Sequence, residues 1–412
     1  MPGRHDVPIQ CSAHTAEGAH VAKRPSTLPT GVTLPYCTQL VTPHMLVLKI
    51  LGYGLLGLGV IGTFLPLLPY DDWWIRGGDY PRVQFAVLLA GGAAMLYLGH
   101  RGEALPVVAV VFIVLSLLCV AFQLYRILPY TQVWSKQVVS AAPNSASHPD
   151  SVHLLISNVL QSNPNHEGLV SMVQRERPDL LLTLESNGVW EAALLTGIGA
   201  DYPEQVKVPL ENRYGMHLFS KFPLRNTEVM HLISDSIPSI YTEVQLESGS
   251  WVKLYCLHPT PPSPTEESAS TARDAELGLV GMRIKDTDNA NTIVAGDLND
   301  VAWSHSTRLF QRLSGLLDPR VGRGLYASFH ADYWFMRWPL DHVFHSDEFQ
   351  VARLRRMPSI GSDHFPMSVQ LRYSPHEEHR AEAPAEERGD RKEANKTIRK
   401  AKSGEVDGLL VD

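Results

Sequence analysis

Asn291-Thr-Ile-Val-Ala-Gly-Asp-Leu-Asn-Asp300 is the stretch on which the reading of the chain turns. Thr292 to Ala295 are apolar or β-branched and predict a short buried strand. Gly296 breaks it, and Asp297 and Asn299 then project from the loop at its end. A carboxylate and a carboxamide at the C-terminal end of a core strand suit a polar site on a rigid base. A Gly-Asp pair after a strand is also an ordinary turn. What separates the two readings is the company the pair keeps.

Outward from this stretch, short apolar runs alternate with amphipathic segments from Ser151 onward. His153 to Val159, Asp179 to Glu185, Tyr214 to Ser220, Thr242 to Leu246, Trp251 to Leu257, Leu340 to Phe344 and Phe365 to Leu371 read as strands. Gly168 to Arg177 (closed by Pro178), Thr271 to Ile284 and Ser306 to Ser314 read as helices. This is a mixed α/β domain over residues 151–373. The polar residues at its strand ends are Asn158, Glu185, His258, Asp297, Asn299, Asp341 and Ser362-Asp363-His364. Singly, each also reads as a turn former or surface residue. As a set they serve one chemistry.

The rest of the chain has a different composition. Met45 to Leu68, Val83 to Gly99 and Leu105 to Leu128 are almost wholly apolar, and about 20 such residues span a hydrocarbon core. Trp73, Trp74, Tyr80 and Tyr97 lie near their edges like an interfacial belt. The other reading is a buried helical hairpin in a soluble protein. The expected organisation is an N-terminal disordered tail (1–44), a membrane domain of three transmembrane helices (45–129), a linker (130–150), the catalytic domain (151–373) and a disordered charged tail (374–412). A second reading starts the protein at Met45. Lys and Arg are nearly balanced on the two faces, so the acidic first loop (Asp71, Asp72, Asp79) carries the orientation. It favours an integral protein of a bacterial inner membrane with the catalytic domain extracytoplasmic.

A formal charge of −7, with acidic residues outnumbering basic ones from Ser151 to Tyr373, argues against a nonspecific nucleic-acid binder. The cysteines Cys11, Cys37, Cys119 and Cys256 have no metal-type spacing and imply neither a zinc site nor a disulfide framework.

The chemistry that the strand-end residues suit is metal-assisted attack of water on a phosphoester. A hard divalent cation would neutralise phosphoryl oxygens, held by one or two carboxylates, and Glu185 fits that ligand. Asp297 fits the group that orients and deprotonates water, with Asn158, Asn299, His258 and His364 as donors. Asp341 would sit behind His364 and fix its tautomer.

The ordered set Ser157-Asn158-Val159, Leu184-Glu185, His258-Pro259, Gly296-Asp297-Leu298-Asn299, Leu340-Asp341-His342-Val343 and Gly361-Ser362-Asp363-His364-Phe365-Pro366 resembles the endonuclease/exonuclease/phosphatase superfamily. The resemblance is to its deoxyribonuclease-like and neutral sphingomyelinase-like members, in a membrane-anchored bacterial form. It covers Ser151 to about Tyr373, and Tyr214 to Pro223 and the helix of Arg273 resemble the family's segments there. It implies a four-layer α/β sandwich, two mixed β-sheets packed face to face and flanked by helices. It further implies Glu185 as principal metal ligand, Asn158 supporting metal and phosphate, and Asp363 close to the metal. His258 would contact phosphate, Asp297 orient the water, Asn299 hold a phosphate oxygen, and His364, paired with Asp341, act as acid/base or phosphate binder. Mg²⁺ is the implied cofactor, with Mn²⁺ as substitute.

The expected function is a membrane-anchored Mg²⁺-dependent phosphodiester hydrolase acting on a lipid-like or small extracytoplasmic substrate. The alternatives are a DNA or RNA nuclease and a non-catalytic membrane-tethered binding module. The expected partners are the bilayer and a phosphoester substrate; nucleic acid is not favoured, and no obligate protein partner is evident. Two features lie outside the motif set: the stiff loop Pro259-Thr-Pro-Pro-Ser-Pro264, and the aromatics Tyr333, Trp334, Phe335 and Trp338, which read equally as an exposed rim or a core plug.

Overall fold

Leu180-Leu-Leu-Thr-Leu184 is an unbroken apolar run, the mark of a strand covered on both faces. In the computed structural model, which describes residues 43–142, 145–375 and 382–404, it is a central strand. The elements in chain order begin with the helices α1 (Pro43–Phe64), α2 (Arg82–Gly99) and α3 (Val107–Ile127). There follow β1 (Ser151–Asn158), α4 (His166–Glu176), β2 (Leu180–Leu184), α5 (Gly188–Ile198), β3 (Glu204–Val208), β4 (Met216–Ser220) and β5 (Leu224–Met230). Next come β6 (Ser239–Gln245), β7 (Trp251–Leu257), α6 (Thr271–Asp286), β8 (Thr292–Asp297) and α7 (His305–Ser314). The last are β9 (Asp341–His345), β10 (Phe349–Arg356), β11 (Met367–Tyr373) and α8 (Asp390–Ser403).

One sheet runs β10-β11-β1-β2-β4-β3 and the other β5-β6-β7-β8-β9. Among the strands named, β1–β2 and β7–β8 pair in parallel and the rest antiparallel, so both sheets are mixed. Ile156, Leu182 and Val369 of the first meet Leu254, Ala295 and Val343 of the second in one core. The outer face of the first sheet is covered by Leu169 and Val173 of α4 and Trp190 and Leu194 of α5. Leu277 and Val280 of α6 and Phe310 of α7 cover the second. These are the four layers. Gly296 does not end β8: the strand continues to Asp297, and Gly296 (φ +148°) is needed because a Cβ there would lie 1.9 Å from the Leu257 carbonyl oxygen.

Among the described residues, three helices are long and apolar enough to cross a membrane, spanning Pro43–Leu67, Arg82–Gly99 and Val107–Tyr130, and the protein is read as a membrane protein. Many of their apolar side chains, Ile50, Ile61, Val87 and Leu118 among them, face outward. Inside the bundle a buried polar chain ties all three: Arg82 pairs with Asp79 and donates to Gln123 Oε1 (3.0 Å), and Gln123 donates to Thr63 Oγ1 (2.9 Å). Buried polar groups between such helices survive only when mutually satisfied.

The bundle is not loosely tethered. Tyr130 Oη donates to Ala302 O (2.7 Å), and Trp303 Nε1 donates to Asp79 O (2.7 Å). The segment between α1 and α2 docks on the start of α6, with Thr271 Oγ1 donating to Asp71 Oδ2 at 3.0 Å. Asp71 also pairs with Arg76 and Lys400, and Asp79 with Arg82. The acidity of this loop therefore serves docking, which weakens it as a sign of orientation.

Two expected free segments are anchored in part. Within the expected linker, Val138 is buried in the sandwich core and Ala141 N donates to Val351 O (2.9 Å), because the Val138-Val139 pair lies along β10. Within the expected charged tail, α8 packs on α6 and α7 by burying Ala394, and Arg312 clasps Asp390 at 2.8 and 3.0 Å. The expected N-terminal tail lies outside the described residues up to residue 42.

Candidate active site

Parallel pairing within each sheet sends β1, β2, β7 and β8 toward one end of the sandwich. Asn158 closes β1, Glu185 follows β2, His258 follows β7, and Asp297 closes β8. Asp341 opens β9 rather than closing it. Because β9 runs antiparallel to β8, with Asp341 opposite Asp297, its first residue reaches the same end. The lead-in to β11 does likewise beside β1 and delivers Ser362, Asp363 and His364.

Asn158 is the bridge between the sheets. Its Nδ2 donates to Glu185 Oε1 (2.9 Å) and to Asp297 Oδ2 (3.1 Å). On the other side of Asp297, His364 Nε2 stands 3.5 Å from Oδ2, while His364 Nδ1 bonds Asp341 Oδ2 at 2.8 Å. His258 Nε2 is 4.0 Å from the same Oδ2. Asn299 N donates to Asp297 Oδ1 (2.9 Å), fixing the carboxylate's other oxygen. Ser362 Oγ donates to Asn158 O (2.8 Å) and accepts from His364 N (3.0 Å), tying the histidine loop to β1. Asp363 stands nearer the surface, with Oδ1 3.3 Å from Ser362 Oγ. All the expected residues share this end of the sandwich.

Asn158, Asp297, Asp341, His258 and His364 are buried, so their charges act in a low dielectric. Burial pushes the Asp297 carboxyl well above the usual carboxylate range, and the His364 cation pulls it partly back. Burial alone would depress His364, but Asp341 and then Asp297 outweigh it and hold its imidazole protonated well past neutrality. His258 is driven down to about 3 by burial and by the neighbouring His364 charge; it is a neutral imidazole at neutral pH. Burial raises Glu185, against the hydrogen bond from Asn158.

Among the described residues, two groups of ligand atoms could hold a cation. Asp297, Asp341 and His364 offer ligand atoms within 4.8 Å of one another. Their closest contact, however, is the His364–Asp341 hydrogen bond, which already occupies Nδ1. The second group is the Glu185 end. Glu185 Oε2 is buried with no hydrogen-bond partner among the described residues, an arrangement that costs free energy unless a cation or water meets it. Carboxylate and carboxamide oxygens there fit a hard divalent ion.

Several residues of the site carried little or no signal in the sequence. Tyr214 places its ring 5.4 Å from His258 and donates to Glu266 (2.8 Å). Phe329 lies 4.9 Å from the His364 ring. Asn299 sits in the left-handed region (φ +51°), and its carbonyl accepts both Arg273 Nη1 (2.8 Å) and Tyr80 Oη (2.7 Å). Tyr80 belongs to the segment between the membrane helices. The aromatic cluster divides: Tyr333, Trp334 and Phe335 are exposed, whereas Trp338 packs edge-on to Tyr80 at 5.6 Å.

No curated protein matches the chain. Among solved structures, an endonuclease/exonuclease/phosphatase protein from Beutenbergia cavernae is 16% identical, covering 55% of this chain and 72% of its own, with a TM-score of 0.45. The human Nocturnin catalytic domain is 15% identical, covering 55% and 95%, with a TM-score of 0.45. A family protein from Bacteroides thetaiotaomicron is 18% identical, covering 54% and 98%, with a TM-score of 0.43. The model of the Endonuclease/Exonuclease/phosphatase family matches residues 154–364, half of the chain and every one of the strand-end residues named above. The chain belongs to the endonuclease/exonuclease/phosphatase family of metal-dependent phosphoesterases and nucleases.

Proposed function

We propose that the protein is a membrane-anchored, Mg²⁺-dependent hydrolase of phosphodiesters, acting on a lipid-like or small substrate. The observation that carries this reading is the single Asn158 carboxamide joining Glu185 to Asp297, with the His364–Asp341 pair on the far side of Asp297. It sets a ligand-poor carboxylate, a proton acceptor and a cationic donor around one buried point.

In this reading Glu185, with Asn158 and Asp363 beside it, holds the cation. When bound, that ion would neutralise charge on the phosphoryl oxygens. Asp297 orients a water and takes its proton as the new O–P bond forms and the P–O bond to the leaving group breaks. A carboxyl raised by burial is a better base than one in water. His364, protonated, donates to a phosphoryl oxygen, and Asp341 fixes its orientation and stabilises its charge. His258 and Asn299 donate to the remaining oxygens, and the hydrogen bonds from Tyr80 and Arg273 hold Asn299 in place. The excess of acidic over basic residues in the catalytic domain supports a diester other than a long polyanion.

The full chain, purified with its membrane helices, should hydrolyse methyl p-nitrophenyl phosphate when Mg²⁺ or Mn²⁺ is supplied. A chelator should abolish turnover and metal add-back should restore it. Hydrolysis that ignores the chelator would contradict metal assistance, and no hydrolysis of this or any phosphoester by a well-folded, metal-loaded chain would favour the binding-module reading.

A further inference from the structure

Beside the catalytic residues lies a cavity of about 520 Å³ that neither the motif set nor the chemistry above uses. Its walls come from both parts of the protein. The segment between α1 and α2 supplies Trp73, Gly77, Tyr80 and Pro81, and Gln84 of α2 adds its side chain. The catalytic domain supplies Pro261 and Pro262 of the stiff loop, together with Phe335, Met336 and Trp338. Asn299 and His364 also line it, so the cavity is continuous with the site of bond cleavage.

Three observations bear on what would enter it. First, its walls are mostly carbon, with Gln84 and Ser263 the main polar groups away from the catalytic end. A sugar or base seated there would meet Gln84 Oε1 and the Trp338 indole N–H, both without a partner among the described residues, and would leave most of its other polar groups unpaired. Second, Trp73, Tyr80 and Gln84 place it at the level where the spans end, since α1 closes at Phe64 and α2 opens at Arg82. Third, Tyr333, Trp334 and Phe335 are exposed on the loop that also supplies Met336, as aromatics are at a bilayer interface. Gln84 Nε2 donates to Phe335 O (2.7 Å), which fixes this loop against the membrane segment.

We infer that this cavity is a subsite for the apolar chain of an amphiphilic phosphodiester, taken from the bilayer with its phosphate delivered to Asp297 and His364. The inference rests on the phosphodiesterase reading above and narrows its substrate to a lipid with one chain seated between the membrane segment and the catalytic domain. It also makes the membrane helices part of the substrate site rather than an anchor alone. Water adds to phosphorus as its proton passes to Asp297, the ester bond to the leaving alcohol breaks, and the departing oxygen takes a proton from water, to which Asp297 then releases the one it gained. No co-reactant beyond water is needed.

Gly77 offers a direct test. It has helical backbone angles (φ −56°, ψ −23°), lines the cavity, and a Cβ built on it meets nothing within 4 Å. Gly77→Phe therefore fills the cavity without backbone strain. The probes are alkyl p-nitrophenyl phosphates from methyl to octyl, each cleaved to an alkyl phosphate and p-nitrophenolate, assayed below their micellar concentrations. The full chain is held in an amphipol so that no free detergent chain competes. In the wild type kcat/KM should rise roughly threefold per methylene seated, and Gly77→Phe should bring the octyl-to-methyl ratio close to one. Met336→Glu, at a partly exposed wall position, should lower the same ratio and serves if Gly77→Phe does not fold. Metal-dependent cleavage of the methyl ester with a flat length series, or a length series unchanged in both variants, overturns the subsite and leaves the phosphodiesterase reading standing. No cleavage of any ester by the metal-loaded wild type overturns both.

Discussion

Asp297→Asn is expected to lower kcat by roughly 10³- to 10⁴-fold while leaving the fold intact, the scale for removing a positioned general base. The substitution keeps the side chain's shape but removes its charge and its proton affinity. Donors meet both oxygens of this carboxylate: Asn158 Nδ2 at 3.1 Å, Asn299 N at 2.9 Å and His364 Nε2 at 3.5 Å. A carboxamide satisfies one side and turns an NH₂ toward donors on the other. A modest loss of stability should therefore accompany the loss of rate, from unpaired buried groups. Single-turnover rates, with circular dichroism as a check on folding, separate the two effects. A variant that keeps near wild-type turnover would remove Asp297 from the water-activating role.

The second large effect concerns the His364–Asp341 pair. His364→Ala should cost about 10²- to 10³-fold in kcat by removing the cationic donor, and Asp341→Asn should cost nearly as much. Asp341 meets His364 Nδ1 at 2.8 Å and is the first of the groups that pull its pKa upward, ahead of Asp297. An asparagine presenting its NH₂ there would make Nδ1 an acceptor, leaving a neutral imidazole protonated at Nε2 alone and removing the positive charge that His364 offers the phosphoryl oxygen. Groups acting as a unit are strongly non-additive, so the double variant should be about as slow as His364→Ala alone. Losses that multiply across the two sites would show that Asp341 acts independently of the imidazole.

Much of the site was legible because Asn158, Glu185, His258 and Asp297 close or follow buried apolar runs, whereas Asp341 and His364 come before theirs and reach the same end through antiparallel pairing. Leu180 to Leu184 and Thr292 to Ala295 announce central strands with no help from context. What was not legible has a common physical origin: weak or distant partners. β3 is an edge strand with no fully buried residue, β5 is one that buries Met230 alone, and β10 is an edge strand bent by an irregularity between Val351 and Arg353. None of the three carries an apolar run. α5 is apolar nearly all round and shows no helical stripe; its start is set by Asn187 Oδ1 capping Val189 N and Trp190 N. α8 buries little beyond Ala394 and depends on Arg312 and Asp390, 78 residues apart, which no local pattern announces. The hydrogen bond from Tyr80 to Asn299 joins residues 219 positions apart and depends on how the membrane segment docks. Sequence periodicity reports burial along one element. It does not report which elements meet.

The measurement closest to the central claim is a metal titration of turnover in the wild type and in Glu185→Gln, followed by p-nitrophenolate release. Glu185 Oε2 is a buried carboxylate oxygen with no hydrogen-bond partner among the described residues, and its proposed role is to hold the cation. Losing that charge from the site should raise the half-saturating metal concentration by about tenfold or more, in line with losses seen when a ligand shell is weakened. Part of the rate should return at high Mg²⁺ or Mn²⁺. A Glu185→Gln variant that folds and shows the wild-type metal response would contradict the account, because the cation would then bind elsewhere or not at all.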